Sequence, residues 1–119
     1  MSTAMSAEAL RERYQAYISS LNAHEWDKLP SFLADSVNHN GTKLDHQGYR
    51  GLIPPETHFV VADLIVDPDA RQVASRLDIT VAGKRLTEHV FYRFNEDLKI
   101  ERVWSLVQDG EVTGYSVGR

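Results

Sequence analysis

Leu-Thr-Glu-His-Val-Phe-Tyr-Arg-Phe at positions 86–94, a turn at Asn95-Glu96-Asp97, and Leu-Lys-Ile-Glu-Arg-Val-Trp-Ser-Leu-Val-Gln-Asp at 98–109 decide how the chain is read. Both arms are rich in β-branched and aromatic residues and the middle is turn-forming, so the stretch predicts a long antiparallel hairpin. Glu88 and His89 lie mid-strand in an arm that otherwise reads as buried. Burying either without a partner is costly, so each needs a partner or a purpose.

Alternate side chains share one face of a strand. On the first arm Leu86, Glu88, Val90, Tyr92 and Phe94 fall together, opposed by Arg85, Thr87, His89, Phe91 and Arg93. Strict alternation on the second arm groups Ile100, Arg102, Trp104 and Leu106 against Glu101, Val103, Ser105 and Val107. Neither arm has one wholly apolar and one wholly polar face. The hairpin is therefore expected to be covered on both sides, by helices on one and by a second subunit on the other.

Upstream, Gln72–Val81 alternates cleanly, with Val73, Leu77, Ile79 and Val81 against Gln72, Arg76, Asp78 and Thr80, and Ala82-Gly83-Lys84 turns it into the hairpin. Thr57–Val66 is dense in β formers and stops at the turn signal Asp67-Pro-Asp-Ala. Between 35 and 55 periodicity fades: Ser36–Gly41 reads as a short extended piece entering a turn, and Gln47–Leu52 has room for a short helix. The N-terminal third is helical. Ser6 is a candidate N-cap with Glu8 in the first turn, and Leu10, Tyr14, Tyr17, Ile18 and Leu21 form one apolar stripe that ends near Asn22. Trp26, Leu29, Phe32 and Leu33 make a second stripe in which Pro30 marks a break or a first helical position. Glu111–Arg119 either adds a short strand or trails. Helices first and a strand meander after predict an α+β domain spanning 1–119, with the helices on one face of a curved antiparallel sheet.

At 119 residues the chain has room for one core, and 42% hydrophobic with 25% charged residues is ordinary for a globular protein. A net charge of −4 with no basic run argues against a nucleic-acid partner. Without cysteine there is no disulfide or thiolate chemistry. No apolar run reaches membrane-spanning length and the first residues lack a signal-peptide core, so a soluble, cytoplasmic protein is expected.

Glu88 facing an apolar cavity would have its ionisation raised and could act as a general acid or base; equally, it could pair with Arg102 or Arg76 across the sheet. His89 is either a satisfied structural histidine or a ligand contact. His39 and Asn40 lie where an extended piece meets a turn, a place suited to a pocket rim, with His39 to move a proton and Asn40 to orient a carbonyl. The competing reading is that Asn40-Gly41 is simply a turn pair. No histidines have metal-motif spacing, and no phosphate loop or nucleophile elbow occurs, so neither a metal nor a cofactor is expected. Tyr14, Tyr17, Trp26, Phe32 and Phe59 read as core, some of them lining whatever cavity the helices enclose.

The order of four pieces, Tyr14–Leu29, Val-Asn-His-Asn-Gly (37–41), Gly-Tyr-Arg-Gly-Leu-Ile (48–53) and the 88–105 hairpin, resembles the SnoaL-like polyketide cyclase family. That family belongs to the nuclear-transport-factor-2-like superfamily, which also holds ketosteroid isomerase and limonene epoxide hydrolase. The resemblance implies a cone-shaped α+β barrel, with N-terminal helices packed on a strongly curved, mostly antiparallel sheet. It implies a homodimer through the sheet's outer face and a small apolar carbonyl ligand of polyketide or terpenoid type. By the same alignment Glu88, Val90 and Tyr92 line the pocket with Val103, Ser105 and Val107, while Trp104 faces away. The chain departs from the cyclases in carrying Ser105 where an Asp acid/base typically follows the Trp, and Val90 where a pocket His is common.

Three functions follow as expectations. One is a cofactor-independent cyclase or isomerase of secondary metabolism, with Glu88 and His39 transferring protons and Asn40, Tyr92, Ser105, His89, Tyr17, Trp26 and Phe59 binding substrate. The second is a non-catalytic binding or dimerisation module. The third is an epoxide or lactone hydrolase, to which Glu88 and Asp63 would contribute.

Overall fold

A computed structural model describes residues 5–109. Helix α1 (Ala7–Asn22) starts where Ser6 is extended and its hydroxyl accepts the Ala9 N–H at 3.0 Å, satisfying a donor the helix itself cannot pair. The expected stripe of Leu10, Tyr14, Tyr17, Ile18 and Leu21 is its buried face. At its end the Asn22 amide grips a strand, accepting the Phe59 N–H at 2.8 Å and donating to the Phe59 carbonyl at 2.8 Å. A 3₁₀ turn (Trp26–Lys28) leads into α2 (Leu29–Phe32), where Pro30 sits in the first turn, its missing N–H costing nothing there.

The strands are β1 (Leu33–His39), β2 (Thr42–Leu44), β3 (His58–Asp67), β4 (Gln72–Val81), β5 (Lys84–Phe94) and β6 (Ile100–Asp109), with helix α3 (His46–Arg50) between β2 and β3. Their order across the sheet is β2-β1-β6-β5-β4-β3. Every neighbouring pair is antiparallel except β1 with β6. The result is a cone-shaped α+β fold, helices on one face, with the sheet open at β2 and β3 among the described residues. The β4–β5 hairpin turns through Ala82 (φ 50°) and Gly83 (φ 79°), both left-handed as a two-residue turn requires. The expected turn at 95–97 extends to Lys99, with the Asn95 side chain accepting from the Asp97 and Lys99 N–H groups. The expectation for Glu111–Arg119 lies outside the described residues.

Two bulges alter the parity read from sequence. Arg93 pairs with Arg102 but Phe94 with Ile100, so Glu101 is an extra residue. Ile100 therefore faces the core, fully buried, together with Val103, and does not share the outer face with Arg102 and Trp104. Likewise Val61 pairs with Leu77 and Asp63 with Arg76, leaving Ala62 extra, so Phe59 and Val61 point inward before it and Leu64 and Val66 after it. Bulges bend the strands that carry them, which helps the sheet curve around α1. The core lies between α1 and the concave face, with Tyr14, Tyr17, Leu77, Val90 and Phe94 all but inaccessible.

Candidate functional site

Between α1, the α3 segment and the concave face lies a cavity of about 350 Å³. Tyr17 and Leu21 come from α1, and Tyr49, Leu52, Ile53, Pro54 and Thr57 from α3 and the chain after it. The sheet supplies His39, Phe59, Ile79, Val81, Leu86, Glu88, Tyr92, Val103, Ser105 and Val107. Carbon surface dominates this wall, and among the described residues no Lys or Arg belongs to it.

Glu88 points inward from β5 and its carboxylate accepts a hydrogen bond from the Ser105 hydroxyl on β6. Burial is the larger influence on that carboxyl and pushes its ionisation above the usual range, while the Ser105 bond, which favours the charged form, pulls it partly back. The ion pairs weighed for Glu88 do not form: Arg76 holds Asp63 at 2.7 Å on the outer face. Tyr17 and Tyr49 share a hydroxyl–hydroxyl bond of 2.7 Å. Burial pushes the ionisation of Tyr17, Tyr49 and Tyr92 well up, so their hydroxyls stay protonated and able to donate. His39 lies edge-on to Tyr49, ring centres 6.3 Å apart, and burial lowers its ionisation, favouring the neutral imidazole. One carboxyl, one neutral imidazole and several hydroxyls thus face a mostly apolar space. That set can accept a proton, return it, and hydrogen-bond a developing oxyanion.

Of the residues expected from sequence, Glu88, His39, Tyr92, Ser105, Tyr17 and Phe59 meet in this one cavity. Three do not line it. Asn40 spends both amide atoms on the Ser105 backbone. His89 points to the opposite face, set between Arg76 and Leu106 in the register. Trp26 is sandwiched outside, its ring stacked on His24 at 5.9 Å with the Arg50 guanidinium 4.8 Å from its centre. Val90, expected on the wall, is fully buried in the core and does not line the cavity. Trp104 faces away from it, half exposed.

Tyr49 is a site residue that sequence reasoning missed. It is carried by a five-residue helix whose N-cap, Asp45, accepts the Gly48 N–H at 2.7 Å. The Asp-x-x-Gly spacing is the signal that could have located it. Among the described residues no three His, Cys, Asp or Glu side chains converge as a metal would need. No helix among them is long and apolar enough to cross a membrane.

No protein-family model and no curated protein matches the chain. Solved structures do. It is 31% identical to a SnoaL-like polyketide cyclase from Agrobacterium tumefaciens, over 83% of this chain and 91% of that one, with a TM-score of 0.73. A ketosteroid isomerase candidate from Kribbella flavida superposes with a TM-score of 0.76 at 19% identity, over 98% of this chain and 93% of that one. A polyketide cyclase candidate from Streptomyces antibioticus gives 0.67 at 15% identity, over 83% and 91%. At those identities the last two speak for the fold alone.

Proposed function

The chain belongs to the SnoaL-like polyketide cyclase family, and from that premise we propose that it is a small acid–base enzyme, a cyclase or isomerase acting on a polyketide- or terpenoid-like carbonyl compound. The observation that carries this reading is the Glu88 carboxyl, buried in an apolar cavity and bonded to Ser105. In its ionised form Glu88 takes a proton from the carbon next to a substrate carbonyl. The enolate oxygen accepts hydrogen bonds from the hydroxyls of Tyr17, Tyr49 or Tyr92. In an isomerase the proton held by Glu88 returns to a different carbon. In a cyclase the enolate carbon attacks a second carbonyl of the same molecule, and the resulting alkoxide takes the proton that Glu88 holds, directly or passed through the His39 imidazole. Every step moves protons and electron pairs that these side chains and the substrate supply, so the reading invokes no cofactor. It places the protein in the cytoplasm, in secondary metabolism.

The test is exchange of α-protons in D2O, followed by proton NMR, over a panel of uncharged polycyclic ketones and β-keto esters. Catalysed exchange that drops about 10²- to 10⁴-fold in Glu88→Gln is the expected result. The second reading, a non-catalytic binding module, draws on Ser105 standing where cyclases of this family typically carry an Asp. Ligands that bind without any exchange would establish it. A hydrolase draws less support, because Asp63 lies on the outer face, 67% exposed and paired with Arg76.

The same reading includes a homodimer through the outer face. Ile65, Ala74, Phe91 and Trp104 are successive neighbours across β3, β4, β5 and β6. Ile65, Phe91, Trp104 and nearby Leu106 are each at least 49% exposed, an apolar stripe suited to a second copy of itself.

A further inference from the structure

Strand β1 runs beside β6 only as far as the His39–Val103 pair, and the Asn40 N–H still reaches the Val103 carbonyl at 2.9 Å. There the chain reverses through Asn40 (φ 50°) and Gly41 (φ 92°) into β2. The next β6 residue on that side, Ser105, is met by a side chain instead of a main chain. The Asn40 carboxamide oxygen accepts the Ser105 N–H at 2.8 Å and its amide nitrogen donates to the Ser105 carbonyl at 3.0 Å.

We propose that Asn40 is a positioning residue, its carboxamide standing in for one more peptide group of β1 and fixing the Ser105 backbone so that the Ser105 hydroxyl stays on the Glu88 carboxylate. The proposal rests on Glu88 as the proton-transfer group. One N–H and one oxygen lone pair of the carboxamide are committed to the Ser105 backbone, which fixes its orientation there. Two bonds to one residue hold its peptide planes against rotation, and a single side-chain torsion then separates the fixed backbone from the hydroxyl that touches Glu88. Asn22 makes the same two-point grip on Phe59, another wall residue, so the device serves both flanks of the cavity. The turn does not need the Asn40 amide for itself: the Gly41 N–H is held by the Asn38 side chain at 2.8 Å.

Asn40→Gly is the discriminating variant, because glycine accepts the left-handed backbone and removes only the grip. The readout is the titration of the Glu88 carboxyl, followed by carbon NMR on Glu-labelled protein and assigned by its disappearance in Glu88→Gln. Ser105→Ala removes the bond that favours the carboxylate and is expected to move the midpoint up. Asn40→Gly should move it in the same direction by less, and the double variant no further than Ser105→Ala alone. A folded Asn40→Gly protein with an unchanged midpoint overturns the proposal. If that variant does not fold, hydrogen exchange on the unaltered protein decides: a protected Ser105 amide supports the grip and an unprotected one overturns it. Neither measurement needs turnover, so failure of the enzyme reading, seen as absent α-proton exchange, is separable from failure of this one.

Discussion

The Ser105 hydroxyl reaches the Glu88 carboxylate on the diagonal of the β5–β6 ladder, for the register sets Ser105 opposite Val90 and Glu88 opposite Val107. Of the two valines, Val90 is fully buried and Val107 half exposed, and burial dominates the behaviour of the carboxyl.

A pH dependence of stability follows. The folded protein holds the Glu88 proton more tightly than the unfolded chain, so it binds more protons between the ordinary carboxyl range and the raised folded midpoint. The stability from this group is complete below the ordinary range and is lost as pH rises through the folded midpoint. Glu88→Gln removes the titration. Its melting temperature relative to the wild type should therefore climb with pH from about pH 4, where free carboxyls ionise, and level off above the raised folded midpoint. Melting curves of both proteins across that range check this, and a constant offset would mean that burial does not hold the carboxyl up.

The Tyr17–Tyr49 hydroxyl pair ties α1 to α3 at 2.7 Å with both rings buried. Tyr17→Phe or Tyr49→Phe leaves a buried hydroxyl without its partner, a loss of about 1–3 kcal/mol. Removing both leaves no orphan from the pair, so the double variant should cost clearly less than the two singles added together. Urea melts of the four proteins give the coupling, and simple additivity would show that the hydroxyls do not depend on each other.

For the outer stripe, replacing both Phe91 and Trp104 with Lys puts like charges opposite one another at its centre. Sedimentation at rising protein concentration should find a dimer for the parent and a monomer for the variant, with its melting temperature no longer dependent on concentration. A parent that stays monomeric throughout overturns the dimer.

Legibility in the sequence tracked the range of the interactions involved. The limits of β4 could be read at 72 and 81 because alternation is a local signal, and α1 because its stripe and Ser6 cap lie within a few residues of each other. Parity grouped Glu88 with Tyr92 and Ser105 with Val103 and Val107, and the family resemblance turned both sets toward the pocket, which they line. Less accessible was anything set by a distant partner. Asn40 looked like a turn residue or a substrate contact because Ser105, the residue it grips, is 65 positions away. The parallel β1–β6 pairing is equally remote, and β2 is only three residues long. Tyr49 was hidden by the shortness of α3, which gives no periodicity to detect.

Glu101 is the case in which a single residue misleads the pattern, and it allows a direct test. With it present, Ile100 and the set Val103, Ser105 and Val107 all face inward. Deleting it leaves Ile100 and Val103 two positions apart, so a regular strand keeps Ile100, Val103, Ser105 and Val107 on the inward face and loses only the bend that the extra residue gives β6. The buried positions stay filled, and the loss should be about 1–3 kcal/mol, that of an altered strand bend. Glu101→Gln keeps the extra residue and removes only the ion pair with Arg93, 3.2 Å across a partly exposed surface. That should cost under about 1 kcal/mol. Guanidinium melts of the two variants separate backbone count from charge. Similar costs would mean that the bend at Glu101 contributes nothing to stability beyond the ion pair with Arg93.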